Sequence, residues 1–290
     1  MTAAPAKSKT TRTLSAALRL EGTGIHSGAS CAVSIFPQEP AHGIVFSRKG
    51  NAARVAADWS HADAEASDRR TVLIGEGGAR FEQIEHLMAA LAAAGITDAL
   101  VEQEGPEVPF LGGGSKEFLQ AIRETGTEAT GGSVPVLTID RPTSLQDGNA
   151  LLVATPHDGL RLSCFVEFPG TVVGSQGFSL ELDEESFFRE AAAARTFALA
   201  RDLEMLRQMG LIKGGNLGNA VIFDEHRYHN ESLHFPDEVV RHKIIDLIGD
   251  LALIGRPLRG HFWAWRAGHR SHVRFVQHLA KEYSLSLCLP

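Results

Sequence analysis

Apolar and polar residues alternate along the first part of the chain in runs such as "ASCAVSIFP" from Ala29 and "HGIVFSR" from His42, the period of two expected of half-buried strands. From Phe81 the spacing in "FEQIEHLMAALAAAGI" changes to that of a helix, with Gly95 as its stop. The same order returns further on. "ALLVATP" from Ala150 and "RLSCFVEFP" from Arg161 read as strands, a long helix is expected from Glu184 to about Met209, and "VVRHKIIDLIGDLALIG" from Val239 to Gly255 reads as another. In "WAWRAGHRSH" the alternation through Phe262 and Trp263 predicts a strand and Gly268 a tight turn. Ser271 is then expected to cap a final helix whose Val273, Val276 and Leu279 face the core. Strands precede helices in each half, which predicts α+β layers rather than a doubly wound sheet. The small, polar "TGTEATGGSVP" from Thr125 separates the halves, so domains are expected at 1–130 and 131–290. No short-period repeat is visible, and a distant duplication would suit the likeness of the halves.

At ~100° per residue, Val240, Ile244, Leu247, Ile248, Leu251 and Ile254 share one face of the helix from Val239, while His242, Asp246 and Asp250 lie opposite. Asp237 and Glu238 suit a first turn, and Gly255 with Pro257 suits a stop. The plain account is a polar stripe in water. Against it, Asp is a poor helix former and occurs twice near mid-helix, and His and Asp four residues apart can close on one cation. That pair needs a third ligand. On the earlier helix Ile84, Leu87, Met88 and Leu91 make the core face, and His86 points roughly 150–200° away from it. Ala89, Ala90 and Ala93 leave that second face smooth enough for close packing. Two His and one carboxylate with an open position make a catalytic zinc set, and a neighbouring carboxylate such as Glu85 can act as base. An exposed His86 is the competing account. His269 falls at a strand-to-helix junction, either as a loop histidine or as a side chain projecting into a cleft.

Composition narrows the classes. With 290 residues, 43% hydrophobic and 22% charged, the chain is globular and long enough for one large or two ordinary domains. No segment approaches the ~18 uninterrupted apolar residues of a spanning helix. "MTAAPAKSKTTR" at the N-terminus lacks an apolar secretory core, so a cytoplasmic protein is expected. Cys31, Cys164 and Cys288 are far apart, which argues against a disulfide framework and a thiolate zinc site. A formal charge of −7 disfavours a nucleic-acid partner.

These residues together resemble the zinc-dependent UDP-3-O-acyl-N-acetylglucosamine deacetylases of lipid A synthesis. The segments that carry the resemblance are "GTGIHSG" from Gly22, "EHLMAALAAAGITD" from Glu85, "PEVPFLGGGS" from Pro106, "ARTFALARD" from Ala194, "DEVVRHKIIDLIGDLALIG" from Asp237, and "GH" at Gly268. They come in the family's order and span most of the chain. The resemblance implies two α+β domains of similar topology, each a sheet layered against helices, with the active site at their interface. It implies zinc held by His86, His242 and Asp246, with iron(II) suited to similar donors. Glu85 would deprotonate the attacking water, Thr196 would help stabilise the oxyanion, and His269, partnered by Asp250, would protonate the leaving amine. Lys243 and Phe197 would meet the substrate, and residues 195–220 would form an apolar passage for its acyl chain. No protein partner is implied. Departures are Gln83-Ile84 where the family has Thr-Val, Gly113 for an Asp, and Lys213 and Gly218 for an apolar residue and an acid. Lys213 would place a charge at the mouth of the passage. Two rival readings stay open: a diverged paralogue acting on another N-acetylated sugar, and a non-catalytic sugar-nucleotide or lipid-binding protein.

Overall fold

The alternating stretches form strands, but not all of them are half-buried: Cys31 to Ile35 and Val45 to Ser47 are buried on both faces, covered by the rest of the fold, whereas burial alternates from Ala150 to Thr155. The computed structural model describes residues 8–50 and 53–286. Cys288 and the first seven residues, on which part of the N-terminal reading rests, lie outside the described residues. The chain begins with β1 (Ser8–Leu14), β2 (Leu18–Thr23), β3 (Ser30–Pro37), β4 (Ile44–Arg48) and β5 (Arg54–Ala56). A short antiparallel pair follows, β6 (Val72–Ile74) and β7 (Arg80–Glu82), then α1 (Glu85–Ala93), β8 (Ala99–Glu104) and α2 (Lys116–Thr125). The first sheet has the order β2-β3-β8-β4-β5, antiparallel except for the parallel pair β4 and β8. The segment expected to separate the halves is itself a strand, β9 (Thr127–Pro135), which pairs antiparallel with β1.

Beyond it come β10 (Leu137–Thr138), β11 (Thr143–Asp147), β12 (Ala150–Thr155), β13 (Leu160–Phe168), β14 (Gly174–Glu181) and α3 (Glu184–Glu190). They are followed by β15 (Thr196–Leu199), α4 (Leu203–Gln208), β16 (Ala220–Phe223), α5 (Glu238–Leu251), β17 (Leu258–Trp265) and α6 (His269–Glu282). The second sheet has the order β11-β12-β17-β13-β14, with β10 beside β17. In both sheets the last strand lies in the middle, antiparallel to the second strand and parallel to the third. This repeated path gives an α+β fold in which α1 precedes the central strand of the first sheet and α5 that of the second; α5 packs on β13 and β14, and α1 packs on α5 and α2.

Three expected elements differ from what forms. The helix predicted from Phe81 starts at Glu85, because Phe81 belongs to β7 and Gln83 has a left-handed backbone, φ 63°. The helix predicted from Glu184 to Met209 breaks after Glu190. The carbonyls a helix would use internally are taken elsewhere: Glu190 O accepts from Arg241, Ala192 O from the Ser115 amide, Ala193 O from His234 and Ala194 O from His242. Ser271 is not the cap of the last helix. Gly268 is, and Ser271 Oγ accepts from its amide from inside the first turn; the left-handed residue of that turn is Arg266, φ 51°.

One apolar cluster runs through both halves, from Phe46 and Phe81 to Phe262 and Phe275. Where α1 meets α5 there is no room for a side chain: a Cβ on Gly249 would lie 2.0 Å from Glu85 O. The polar stripe of α5 therefore faces α1, not water, and within α5 only Arg241 and Lys243 escape full burial. Gly249→Ala gains helix propensity but must push the two backbones apart. We expect it to lower stability by about 1–3 kcal/mol, read as a fall in urea midpoint. An unchanged or higher midpoint would show that the crossing has slack.

Candidate metal centre and active site

His86 is the second residue of α1, and His242 and Asp246 stand one turn apart on α5, so the helix crossing alone brings the three together. Asp246 Oδ1 lies 3.3 Å from His242 Nε2 and 3.7 Å from His86 Nε2. The two rings meet edge to face at 4.9 Å. His242 Nδ1 donates to Ala194 O at 3.0 Å, which fixes its tautomer and leaves the Nε2 lone pair directed at the cluster. Burial pushes the His242 pKa down to about 4, so it is neutral. Burial opposes the charge on Asp246, but Lys243, His242 and His269 outweigh it and hold its pKa well below the usual range. Asp246 Oδ1 and His86 Nδ1 are buried without a hydrogen-bond partner among the described residues. An unpaired anionic oxygen beside two imidazoles is costly unless a cation joins them, and this donor set fits a divalent metal.

Glu85 is wholly buried one residue before His86. Its Oε2 accepts from the Thr71 amide at 3.0 Å and its Oε1 from Gln83 Nε2 at 2.6 Å. Burial raises its pKa, partly offset by His269 and His86. His269 Nε2 lies 3.9 Å from Glu85 Oε1 and 3.8 Å from Asp246 Oδ2, at the edge of the same cluster. Its Nδ1 bonds Asp250 Oδ2 at 2.8 Å. Burial works against a charged His269, but Asp250, Asp246 and Glu85 around it raise its pKa to about 9. Asp250 accepts two further hydrogen bonds, from Thr71 Oγ1 and from His272 Nδ1. Burial opposes its charge too, yet the two histidines bring its pKa down to about 2. Asp250, His269 and His272 also stand close enough to hold a cation. Unlike the first set, their facing atoms are already bonded to one another.

Thr196 and Phe197 open β15 beside this centre. Phe197 stacks edge-on to His242 at 6.1 Å, and both residues line a cavity of ≈ 520 Å³. Phe168, Leu199, Leu203, Leu206 and Ile222 supply its apolar wall. Residues 195–220 thus form part of that wall, but Lys213 does not line it; its amide bonds His26 O and its Cβ side lies against Gly28. Lys243 Nζ is paired with Asp246 Oδ2 at 2.7 Å, and although burial disfavours its charge, Asp246 keeps its pKa above the ordinary value. Gly113, with φ 88°, leaves 1.9 Å between a would-be Cβ and Asn219 O, so no Asp fits there without moving β16.

The sequence did not point to Thr71, His272 or the buried pair Arg195 and Glu238. Arg195 Nε donates to Glu238 Oε1 at 2.8 Å and the Arg195 amide to the same oxygen at 2.9 Å, tying β15 to the start of α5. For His272 a signal was available, since it follows His269 by three residues and so shares its helix face. Thr71 offered none.

The family described as UDP-3-O-acyl N-acetylglycosamine deacetylase matches residues 11–281. A UDP-3-O-acyl-N-acetylglucosamine deacetylase of Myxococcus xanthus is 39% identical over 280 residues, covering 96% of this chain and 89% of the relative. Relatives with the same name from Anaeromyxobacter dehalogenans and Synechocystis sp. are each 37% identical, over 92% and 93% of this chain and 86% and 99% of their own length.

Proposed function

The chain belongs to the UDP-3-O-acyl N-acetylglycosamine deacetylase family, and from that premise we propose that it hydrolyses the acetamide of UDP-3-O-acyl-N-acetylglucosamine. The products are acetate and the free amine, and the step belongs to lipid A synthesis. The observation that carries the reading is the buried set His86, His242 and Asp246 with Asp246 Oδ1 unpaired, flanked by Glu85 on one side and His269 on the other. Zinc held by those three, or iron(II), which suits similar donors, would supply Lewis acidity toward the acetyl oxygen. Glu85 takes a proton from the attacking water. The Thr196 hydroxyl donates to the acetyl oxygen as it gains charge, and His269 Nε2 delivers a proton to the departing nitrogen. Asp250 orients His269 and favours its charged form. Lys243 and Phe197 contact the substrate, and the cavity beyond Phe197 takes the acyl chain. We assign the division of labour to units 1–130 and 131–290, the first contributing Glu85 and His86 and the second the rest. A cytoplasmic location suits a nucleotide-sugar substrate; among the described residues no helix is long and apolar enough to cross a membrane.

Adjacent residues give the sharpest test. His86→Ala should lose metal and turnover together, whereas Glu85→Ala should keep metal and substrate affinity and lose on the order of 10²–10⁴ in amine release. A chelator should abolish the parent's activity. If Glu85→Ala releases amine as fast as the parent, the base lies elsewhere.

The pH profile should be bell-shaped. Activity falls as pH drops through the raised Glu85 value, and falls again as pH rises past that of His269, which acts only while protonated. Asp250→Asn removes an anion that holds His269 up, so the alkaline limb should move to lower pH. A limb that stays in place would uncouple the two residues.

Acyl length supplies the third test. Each added methylene should improve kcat/KM by up to ~0.8 kcal/mol until the cavity is filled, and Leu206→Trp should bring the plateau to shorter chains. Equal rates with and without an acyl chain would favour a diverged paralogue acting on another sugar.

A further inference from the structure

His272 has no part in the reaction as described, yet it is wholly buried and bonded to the carboxylate that serves His269. It lies three residues after His269 on α6, so the two rings share a face and meet edge-on at 6.1 Å. Both Nδ1 atoms reach the same oxygen, Asp250 Oδ2, each at 2.8 Å. Thr71 Oγ1 donates to the other oxygen. His272 Nε2 is buried without a hydrogen-bond partner among the described residues, so a proton there would be unpaired; its surroundings favour the tautomer with the proton on Nδ1, aimed at Asp250.

The need for such a donor follows from the proton transfer. Before the step, Asp250 faces an imidazolium. Afterwards His269 is neutral, and a carboxylate with no exposed surface must stay charged on hydrogen bonds alone or take up a proton itself. A protonated or rotated Asp250 no longer holds the His269 ring with Nε2 toward the substrate. Among the described residues Thr71 and His272 are the two donors to Asp250 that do not change during the step. We propose that His272 is a positioning residue for proton delivery: its Nδ1–H holds Asp250 Oδ2 in place, and Asp250 in turn orients His269 through the transfer. The inference rests on the acid role assigned to His269.

The test uses the metal-loaded enzyme with two substrates, the natural acetamide and an analogue with a thioacetyl group in its place. Cleavage of the amide needs a proton on the leaving nitrogen, while a thiolate leaves without one. His272→Leu should lower kcat on the amide on the order of tenfold, a fraction of the full contribution of a positioned acid, with KM and metal content unchanged and the thioester rate within about twofold of the parent. His272→Asn, whose carboxamide N–H stands near the Nδ1 position, should recover most of the amide rate, and His272→Gln, whose N–H reaches the Nε2 position, should not. Should His272→Leu fail to fold, the Asn and Gln pair carries the comparison. Equal losses on both substrates, or equal rates for Asn and Gln, overturn the proposal. His269→Ala distinguishes the two levels: if it keeps the full amide rate, the acid role falls and this inference with it. If it is slow on the amide alone while every His272 variant matches the parent, only this inference falls.

Discussion

The close crossing of α1 and α5 is the constraint on which the rest depends. Helices separated by ordinary side chains stand 8–10 Å apart, and at that distance side chains as short as His and Asp reach a common point only where the contact residues are small. Gly249 supplies this on α5, with its backbone against Glu85 O, and Ala89, Ala90 and Ala93 keep the facing surface of α1 low. One residue beyond that contact stands His86, and one turn to either side of Gly249 stand Asp246 and Leu253. The polar stripe of α5 is thus part of the contact between two layers, and its residues can be short because the backbones are near.

Burying so many charges in one place is unfavourable unless each has a partner, and the partners here follow a pattern. Asp250 is paired on three sides by protein groups, and Glu85 accepts from a backbone amide and from Gln83. Of these three carboxylates Asp246 keeps an oxygen without a partner among the described residues, although Lys243 holds the other. The deficit is local, and it lies where the His86 and His242 rings converge. The same logic explains the nearby ion pair of Arg195 and Glu238. It is buried, so its hydrogen bonds must offset desolvation, and they do so by joining the backbone of β15 to the first turn of α5. That joint sets where Thr196 and Phe197 stand relative to His242.

What the sequence made legible was what periodicity and helix stops encode. The strands from Ser30, Ile44, Ala150 and Leu160, the body of α5 and the end of α1 at Gly95 all follow from local pattern. The geometry of His86 on the face of α1 away from Leu87 and Leu91 was legible too, though its full burial was not, because a second helix covers that face. Where the reading failed, distant partners had overruled local propensity. Residues 191–195 look helical, but their carbonyls and amides are engaged by Ser115, His234, His242 and Glu238 from elsewhere in the chain. Gln83 looks like the first turn of a helix, but its left-handed backbone turns the chain from β7 into α1. Thr71 is invisible because a lone threonine between short strands carries no period.

The departures from the family pattern can be weighed by the same physical argument. Gln83 places its amide on Glu85 Oε1 and keeps its own Oε1 buried without a partner among the described residues. It therefore supports the Glu85 carboxylate by a hydrogen bond and adds no ionisable group beside it. Gly113 acts at the other end of the site. Its left-handed backbone and its contact with Asn219 O let the loop before α2 touch β16, and its own carbonyl accepts from the Thr196 amide at 3.0 Å. An acidic side chain at that position would separate the loop from β16 and pull on the backbone of Thr196. Glycine here lets the loop pack against the segment that leads into Ala220, part of the wall of the cavity beside Phe197. Gln83 and Gly113 thus both stand outside the set His86, His242 and Asp246 and act on the parts that surround it, the one through a hydrogen bond to Glu85 and the other through the backbone of Thr196.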